Sequence, residues 1–542
     1  MDAAPPPASN TPAPVVFSHR AILLIYSGLM LGMLLAALDQ TIVSTALPTI
    51  VGDLGGLDHL SWVVTAYLLT STVSVPLYGK LSDLYGRRRL FMAAIVLFLA
   101  GSALAGLSQT MLQLILFRGL QGLGGGGLFA MALTIIGDVV PPRQRGRYQG
   151  YMGAVFALSS IVGPYLGGFF VDNLSWRWIF YVNVPIGILA LFVTSLNLRL
   201  PTHRIAHRID YEGALLLVAA TTLVLLGLVW GGNEYAWSSP PIVLLLGGGL
   251  ALGALFVFVE SRAQEPILPL RLFRNSIFTV SVLLSVVIGF AMFGATIFLP
   301  VFLQVVQGES ATQSGKLILP MMAGIVAASI VSGRVITRTG RYKLWPIAGT
   351  ILTALGLFLL STMDAGTSRW LSALYMIVTG TGLGMFMQVL VLAVQNAVER
   401  RDLGSATSGV NFIRSLGSTF GVAIFGSIFA ARVAGYKEYL NTPQVIRALP
   451  PDVRNNVIQA FADGVHTVFL TAVPVALVGV ALAFLLKEIP LREAVHATTS
   501  EKVGEGLRAA LEPGVPARAA PRLADPRPAS RMEIPRIPRP RS

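Results

Sequence analysis

Long, almost uncharged apolar runs separated by short polar stretches dominate the sequence. A helix rises about 1.5 Å per residue and the apolar core of a bilayer is about 30 Å thick, so about 20 such residues span it. Runs of that length begin near Ala21, Leu60, Leu90, Leu112, Arg147, Trp178, Tyr211, Ile242, Ile277, Gln313, Pro346, Leu371, Ser405 and Val465. The pattern predicts an all-α integral membrane protein with about 14 transmembrane helices.

Both chain ends are polar and rich in proline, which predicts a disordered N-terminal tail over 1–20 and a disordered basic tail over 490–542. The basic tail is either solvated or in contact with anionic lipid headgroups. The first apolar run, 21–47, is far longer than the core of a secretory signal and has no obvious small-residue cleavage site. We therefore expect it to be an uncleaved membrane helix.

The composition supports a chain covered by lipid. Hydrophobic residues make up 54% and charged residues only 12%, too few to coat a soluble globule of 542 residues. The absence of cysteine excludes disulfides, thiolate metal sites and a cysteine nucleophile. Basic residues exceed acidic ones by 40 to 26.

The connections between the runs alternate in basic content, and the stretches 48–59, 108–111 and 231–240 carry no Lys or Arg. Because cytoplasmic loops retain positive charge, the basic loops predict the cytoplasmic face, and an even helix count places both termini there. Topology thus explains the basic excess, and no nucleic-acid partner is expected. The basic loops hold Lys80, Arg87, Arg88, Arg89, Arg143, Arg145, Arg147, Arg199, Arg204, Arg208, Arg262, Arg271, Arg274, Arg338, Arg341, Lys343, Arg400 and Arg401.

An internal repeat appears when the sequence is shifted by about 254 residues. The shift aligns Gly79 with Gly333, Gly86 with Gly340, Arg87 with Arg341, Gly150 with Gly404, Gly163 with Gly417 and Gly167 with Gly421. The repeat predicts a six-helix bundle over 21–199 and a second over 263–489, with two inserted helices, 7 and 8, over 200–262. Parallel halves around a site at mid-membrane are typical of a carrier with alternating access.

The stretch GKLSDLYGRRR, residues 79–89, lies in a predicted cytoplasmic loop. Glycines allow close helix approach and a tight turn, and a carboxylate can bind a helix N-terminus or a nearby arginine. We interpret the stretch as a gate latch, against the simpler alternative of a basic turn. The proposed latch residues are Gly79, Asp83, Gly86, Arg87 and Arg88.

Several segments resemble the major facilitator superfamily. Residues 79–89 resemble its G-x-L-x-D-x-x-G-R-R loop, and GAVFALSSIVGPYLGG, 153–168, resembles the glycine-proline motif of its antiporters. LLAALDQTIVSTALP (34–48) and WRWIFYVNVPIG (176–187) closely resemble segments of the fourteen-helix drug:proton antiporter branch. The antiporter motif comprises Gly153, Gly163, Pro164, Gly167 and Gly168.

This resemblance implies a major facilitator fold, two six-helix bundles plus two inserted helices, in a plasma membrane, the inner membrane of a bacterium. It implies multidrug efflux driven by protons, although the same branch includes exporters of lipids, peptides and siderophores. It also implies that Asp138 joins Asp83 and Arg87 in the latch, while capping or a solvated position explains Asp138 equally well.

Three charges fall inside predicted membrane helices, where an ionisable side chain suggests a function or a partner. Asp39 and Arg118 lie at similar depths, roughly 13 Å and roughly 9 Å from the same side at helical rise. They form either a static ion pair or a proton-coupling pair, and the resemblance implies the second role. Arg414 is the third charge, and the resemblance implies that it holds a carboxylate or an anionic substrate group.

A substrate cavity is predicted from adaptable and polar side chains that could alternatively face lipid. Its candidates are Met33, Gln40, Phe293, Phe298, Met385, Met387 and Gln388. The run GLGGGG, 122–127, is interpreted as helix packing, because it follows no strand and lacks the lysine of a phosphate-binding loop. His203 and His207 are interpreted as loop residues because no third metal ligand accompanies them.

No enzyme motif is present, so we expect no catalysis, no cofactor and no metal, with a proton gradient as the energy source. The predicted partners are an amphipathic small-molecule substrate, protons and membrane lipids, and the chain is expected to be monomeric. The alternative class is a membrane receptor or channel without coupled transport.

Overall fold

The computed structural model describes residues 19–54, 60–198, 210–232, 234–309, 311–439, 446 and 449–492. Within these ranges the chain is almost entirely helical, and the one β pairing is an isolated bridge between Gly231 and Tyr235. The helices are α1 (His19–Leu54), α2 (Leu60–Tyr85), α3 (Arg87–Gly106), α4 (Met111–Val139), α5 (Pro142–Asn173), α6 (Trp178–Tyr181), α7 (Asn183–Asn197), α8 (Tyr211–Trp230), α9 (Pro240–Glu260), α10 (Ser276–Val301), α11 (Ala311–Leu317), α12 (Leu319–Thr339), α13 (Leu344–Ser361), α14 (Arg369–Ala397), α15 (Leu403–Arg432) and α16 (Pro451–Leu485).

Thirteen helical segments in the described part of the chain are long and apolar enough to cross a membrane. The pairs α6–α7 and α11–α12 each count as one such segment, as does α10 with the π-helical turn Phe302–Val306. A fourteenth long helix, α2, has 26 residues and packs against α4. The prediction of an all-α membrane protein with about fourteen spanning helices is confirmed.

One predicted helix start is wrong. The last helix begins at Pro451, not near Val465, and has 35 residues. Proline fits the first turn of a helix, where its missing N–H loses no bond. The polar stretch before Val465 therefore forms helix as well, and residues that a hydropathy pattern assigns to a loop lengthen α16.

One pair of glycines that the repeat aligns, Gly86 and Gly340, lies at helix ends. Gly86 separates α2 from α3 with φ of 94°, and Gly340 follows α12 with φ of 72°. Positive φ values are accessible to glycine at little cost because it has no Cβ. Both halves of the repeat thus have a glycine with positive φ at the equivalent turn.

The glycines of α4 confirm the packing interpretation of residues 122–127. A Cβ on Gly124 would lie 2.5 Å from the backbone nitrogen of Phe98, and one on Gly122 would lie 2.9 Å from Cα of Tyr67. The run therefore lets α4 approach α3 and α2 closely, as small residues do in membrane helices.

The buried apolar side chains form separate cores. One core joins residues between Ile277 and Leu491, and another joins residues mainly of α1 to α7 with parts of α8, α9, α14 and α15. A smaller third core lies within residues 42–180. The division into two six-helix bundles stays a prediction. The predicted tail segments 1–18 and 493–542 lie outside the described residues.

Candidate functional site: a buried charge network and an interhelical latch

Asp39 and Arg118, predicted to share a depth, form a buried ion pair between α1 and α4. Arg118 donates to Asp39 Oδ2 at 2.5 Å, and the two side chains are 2% and 0% exposed. Asp39 Oδ1 accepts from Gln121 Nε2 at 2.8 Å and from Asn183 Nδ2 at 3.2 Å. Three donors therefore surround one carboxylate, which a buried charge requires.

The guanidinium of Arg118 also makes several contacts besides its ion pair with Asp39. It donates to Gln121 Oε1 at 2.7 Å and to the carbonyl oxygen of Val63 at 3.3 Å. Its Cζ also lies 4.3 Å from the ring centroid of Tyr67, within range of a cation–π contact. The network thus connects α1, α2, α4 and α7, and any change in the charge of Asp39 acts on all four helices.

Sequence reasoning missed the two amide side chains of this network. Gln121 and Asn183 are each 0% exposed, and Asn183 also donates to Ser102 Oγ at 3.0 Å. Asn183 stands inside the segment WRWIFYVNVPIG, which carried the family resemblance without a role for this residue. A polar side chain within an apolar run was the available signal.

A second charge cluster, the latch cluster of Asp83, Arg87 and Asp138, joins the ends of α2, α3 and α4. Arg87 NH1 lies 2.5 Å from Asp83 Oδ1, and its Nε donates to Asp138 Oδ2 at 2.7 Å. All three side chains are less than 10% exposed. The structure thus brings Asp138 together with the two motif residues.

The latch cluster reaches into the second half of the sequence through Asp83. Its carboxylate accepts from the backbone nitrogens of Gly404 at 3.2 Å and Ser405 at 3.1 Å, at the N-terminal end of α15. A carboxylate is favoured there because the first backbone N–H groups of a helix have no partner within it. Gly79 packs on the same turn, where any Cβ would overlap Ser408.

Arg88, expected in the latch, points elsewhere. It donates to the carbonyl oxygen of Ser195 at 2.7 Å and so links α3 to α7. Arg87 and Arg88 are adjacent in a helix, and neighbouring helical positions face different directions. Only the first of the two can therefore reach Asp83.

A close contact between α5 and α12, here called the glycine seam, consists of Gly146, Gly150, Ser329 and Gly333. A Cβ on Gly150 would lie 2.6 Å from the carbonyl oxygen of Ser329, and one on Gly146 would lie 2.8 Å from that of Gly333. The absence of side chains lets two helices from different halves of the sequence touch through their backbones.

Polar side chains extend the glycine seam to α14. Gln149 Nε2 donates to Gln395 Oε1 at 3.2 Å, and Gln395 Nε2 donates to the carbonyl oxygen of Leu133 at 3.0 Å. Arg145 is 4% exposed and donates to backbone carbonyls, including that of Gln395 at 3.4 Å. The sequence indicated Arg145 only as a loop charge and gave no role to the two glutamines.

The model of the Major Facilitator Superfamily matches residues 29–422, most of the chain. The chain belongs to this superfamily. It is 44% identical over 534 residues to an uncharacterised MFS-type transporter of Mycobacterium tuberculosis, covering 95% of this chain and 76% of that protein. It is 37% identical over 506 residues to the multidrug transporter protein MdtP of Bacillus subtilis, covering 86% and 93%.

Solved structures agree on the fold. The structure of the proton:xylose symporter XylE superposes with a TM-score of 0.61 at 13% identity, covering 88% of this chain and 98% of that chain. The family resemblance and the major facilitator fold are therefore confirmed. Because the superfamily consists of transporters, the expectation that the chain is not an enzyme is confirmed too. The protein is a multi-pass membrane transporter of small molecules.

Arg414 of this transporter does not join the network of Asp39 and Arg118. It lies on α15, is partly exposed, and donates to Asn411 Oδ1 at 2.5 Å. No carboxylate lies within ion-pair distance of it in the described ranges. The grouping of Arg414 with the proposed proton site therefore has no direct contact to support it.

The antiporter motif of the transporter lies in α5 and packs on α1. A Cβ on Gly163 would overlap the side chain of Thr41, whose hydroxyl donates to the carbonyl oxygen of Ser159 at 2.9 Å. A Cβ on Gly153 would lie 3.7 Å from Ser329 Oγ across the seam. Pro164 lies inside the helix, and Gly167 is buried. A Cβ on Gly168 would meet open space. Gly163 thus packs against α1 two residues from Asp39.

The predicted substrate cavity is only partly supported. Met33 and Phe298 are 1% and 4% exposed and pack in the apolar cores, so their place in a cavity wall stays a prediction. Gln388 is buried, and its Oε1 accepts no hydrogen bond. Met387 is buried, Met385 is partly buried and Gln40 is exposed. The side chain of Phe293 lies outside the described residues. Residue type alone does not tell which face of a helix a side chain occupies.

Proposed function

We propose that the transporter exports amphipathic small molecules by alternating access, driven by inward movement of protons. The observation that carries this proposal is the buried pair of Asp39 and Arg118. A carboxylate enclosed by helices of one half can bind a proton only if its contact with the guanidinium weakens. If the two conformations of the transporter differ in that contact, proton binding shifts the balance between them.

The latch cluster and the glycine seam form the cytoplasmic gate in this proposal, and both chain termini lie in the cytoplasm. Asp83 holds α2 to α15, and the seam holds α5 to α12, so both fasten one half of the sequence to the other. The basic loops at this end support the cytoplasmic assignment. The structure is then the state in which the cytoplasmic gate is closed.

Similarity to the multidrug transporter of Bacillus subtilis supports several chemically different substrates. We also propose that the working unit is a monomer in a bacterial inner membrane. Both gate contacts, Asp83 with α15 and α5 with α12, join parts of the same polypeptide, so one chain carries a complete gate.

The decisive experiment is transport in proteoliposomes with an imposed pH gradient. Wild-type protein is expected to move fluorescent amphipathic dyes only when the gradient is present, and Asp39→Asn is expected to abolish gradient-driven transport. Asp172→Asn, at an exposed carboxylate of α5, serves as the matched control and should transport normally. Gradient-driven transport retained by Asp39→Asn would remove Asp39 as the coupling residue, and gradient-independent flux would favour a channel.

The orientation has a separate test, because the natural chain has no cysteine. Gln144→Cys and Asn173→Cys place one thiol near each end of α5, and both positions are exposed. On intact cells, a membrane-impermeant maleimide should label position 173 and not position 144. The opposite result would invert the proposed topology.

Dedicated export of an endogenous lipid, peptide or siderophore is a second candidate, favoured by Arg414. A partly exposed guanidinium without a carboxylate partner suits a substrate with an anionic group better than a cationic drug. A panel of cationic, zwitterionic and anionic amphipaths separates the two candidates. Transport of one compound alone would favour the dedicated exporter, and broad transport of cations would favour multidrug efflux.

A further inference from the structure

The two helices predicted as an insertion, α8 and α9, meet at a pair of carboxyl groups. Asp210 caps α8, where its Oδ1 accepts from the backbone nitrogen of Gly213 at 2.8 Å. Glu260 is the last residue of α9, is 2% exposed, and accepts at Oε1 from the backbone nitrogen of Leu268 at 2.5 Å. One oxygen of each carboxyl group is therefore occupied by a backbone donor.

The other two oxygens face each other. Asp210 Oδ2 and Glu260 Oε2 are both buried and receive no hydrogen bond from a donor of the protein. The two carboxyl groups interact directly, and a side-chain hydrogen bond joins them when one of them carries a proton. Both oxygens converge over Gly213, where a Cβ would overlap Asp210 Oδ2 and would lie 2.9 Å from Glu260 Oε2.

Two ionised carboxylates in a buried contact repel each other and lose their hydration, so at least one must be neutralised. The charged groups of the elements packed around the pair are engaged elsewhere or exposed. Lys80 of α2 binds Glu265 at 2.7 Å, Arg271 binds Asp402 at 2.7 Å, Arg262 stacks on Phe258 at 4.1 Å, and Glu212 and Tyr211 are exposed. No cation of the described residues is therefore placed to neutralise the pair.

We propose that Asp210 and Glu260 share one proton, and that this proton-binding site fastens the α8–α9 hairpin to the segment that leads into α10. The site is separate from Asp39 and goes beyond the proposed coupling residue. One oxygen–hydrogen bond on either carboxyl group satisfies both orphaned oxygens at once, as a donor to the partner. Removing that proton leaves two adjacent negative charges in a buried position.

The segment held by Glu260 contacts the gate. Leu268 belongs to the same core as residues of α15, and its Cδ1 lies 2.8 Å from where a Cβ on Gly409 would stand. Three residues earlier, Glu265 binds Lys80, which follows Gly79 of the latch motif. Loss of the shared proton would thus release residues 261–269 next to α2 and α15. Through this segment, protonation of the carboxyl pair in the inserted helices changes the packing next to the gate.

Hydrogen–deuterium exchange of the purified full-length protein in lipid nanodiscs tests the proposal, with pH varied and intrinsic exchange rates corrected. Wild type is expected to show increased exchange over 261–275 as pH rises, together with loss of the infrared band of a protonated carboxyl group. Glu260→Gln supplies a permanent N–H donor, so it should keep the segment protected at every pH. Asp210→Asn provides the same donor from the other side if Glu260→Gln folds poorly.

The control is Glu212→Gln, an exposed carboxylate of the same helix turn, which should behave as wild type. The pH-dependent step should also persist in Asp39→Asn, so failure of this proposal and failure of the coupling proposal are distinguishable. An unchanged pH-dependent step in both Asp210→Asn and Glu260→Gln would overturn the shared proton. A step that added Mg²⁺ or Ca²⁺ suppresses, and that a chelator restores, would overturn it in favour of a bound metal ion.

Discussion

Gly146 of α5 and Gly333 of α12 face each other so closely that a Cβ on Gly333 would overlap the carbonyl oxygen of Gly146. The obstacle is backbone, which cannot turn aside as a flexible side chain can. The contact joins two halves of the sequence at the end of the helices that also holds the latch cluster. It therefore offers a way to weaken the gate without touching a charge.

Gly333→Ala is expected to favour the conformation with an open gate. Overpacking of a tight contact costs about 1–3 kcal/mol, which corresponds to a population shift between about fivefold and about 150-fold. A single cysteine at Gln149, 0% exposed in the seam, reports the change by its rate of maleimide labelling. Gly315→Ala, where a Cβ would meet open space, is the matched control. Equal labelling in both variants would show that the seam does not hold the gate.

The pair of Asp39 and Arg118 predicts an asymmetry between two neutralising variants. Arg118→Leu leaves a buried carboxylate with amide donors alone, and breaking a buried pair from one side costs about 3–5 kcal/mol. Asp39→Asn is expected to lower the melting temperature less, because its amide oxygen can still accept from Gln121 and Asn183. Arg118 also keeps two acceptors, Gln121 Oε1 and the carbonyl oxygen of Val63. Thermal unfolding in detergent measures both variants.

The double variant completes this test. Asp39→Asn should partly restore the stability of Arg118→Leu, because it removes the uncompensated charge. Equal melting temperatures for the two single variants, with strictly additive effects in the double variant, would contradict a direct electrostatic coupling.

Arg87 and Arg88 are expected to differ strongly despite their adjacent positions. Arg87→Ala removes the cation that pairs with two buried carboxylates, Asp83 and Asp138, a loss of several kcal/mol. Arg88→Ala removes one hydrogen bond to the carbonyl oxygen of Ser195, worth about 1 kcal/mol. Labelling of the cysteine at position 149 should rise in the first variant and change little in the second. Equal effects would mean that net basic charge, not the latch geometry, matters at this turn.

The sequence predicted the helices well and the contacts unevenly, for physical reasons. Membrane spans follow from the length of apolar runs, so α1 to α15 begin close to the expected residues. The first residues of α16 are polar, so the length of an apolar run does not indicate where this helix begins. The meeting of Asp39 and Arg118 followed from their depths. Gln121 was missed because a neutral amide gives a weaker signal than a charge.

Other contacts were beyond prediction for the same reason, since a sequence does not reveal which faces of the helices meet. Met33 and Phe298, predicted to line a cavity, pack in apolar cores in this structure, which the residue types do not indicate. Asp210 and Glu260 stand at helix ends, where carboxylates usually are solvated caps, so nothing in the pattern marked them as a pair. The packing of α8 on α9 places the start of one helix beside the end of the other and so brings them into contact.

Asp53 lies at the end of α1 opposite to His19, beyond the spanning segment Arg20–Val43. Hydrogen bonds from Trp176 Nε1 at 2.8 Å and from Arg177 at 3.0 Å lower the pKa of this carboxyl group. A lowered pKa means that the contact stabilises the fold at neutral pH. That contribution is lost only as the pH falls through the lowered value.

Acidification is therefore expected to release the indole of Trp176 and to change its fluorescence at a pH below the usual carboxyl range. Asp53→Asn should eliminate this acid step. The chain has seven tryptophans, and Trp176→Phe identifies the part of the fluorescence that comes from Trp176. The exposed Asp172→Asn should leave the step in place. An acid step that persists in Asp53→Asn would assign the transition to another carboxyl group, because an asparagine in this position has no proton to gain.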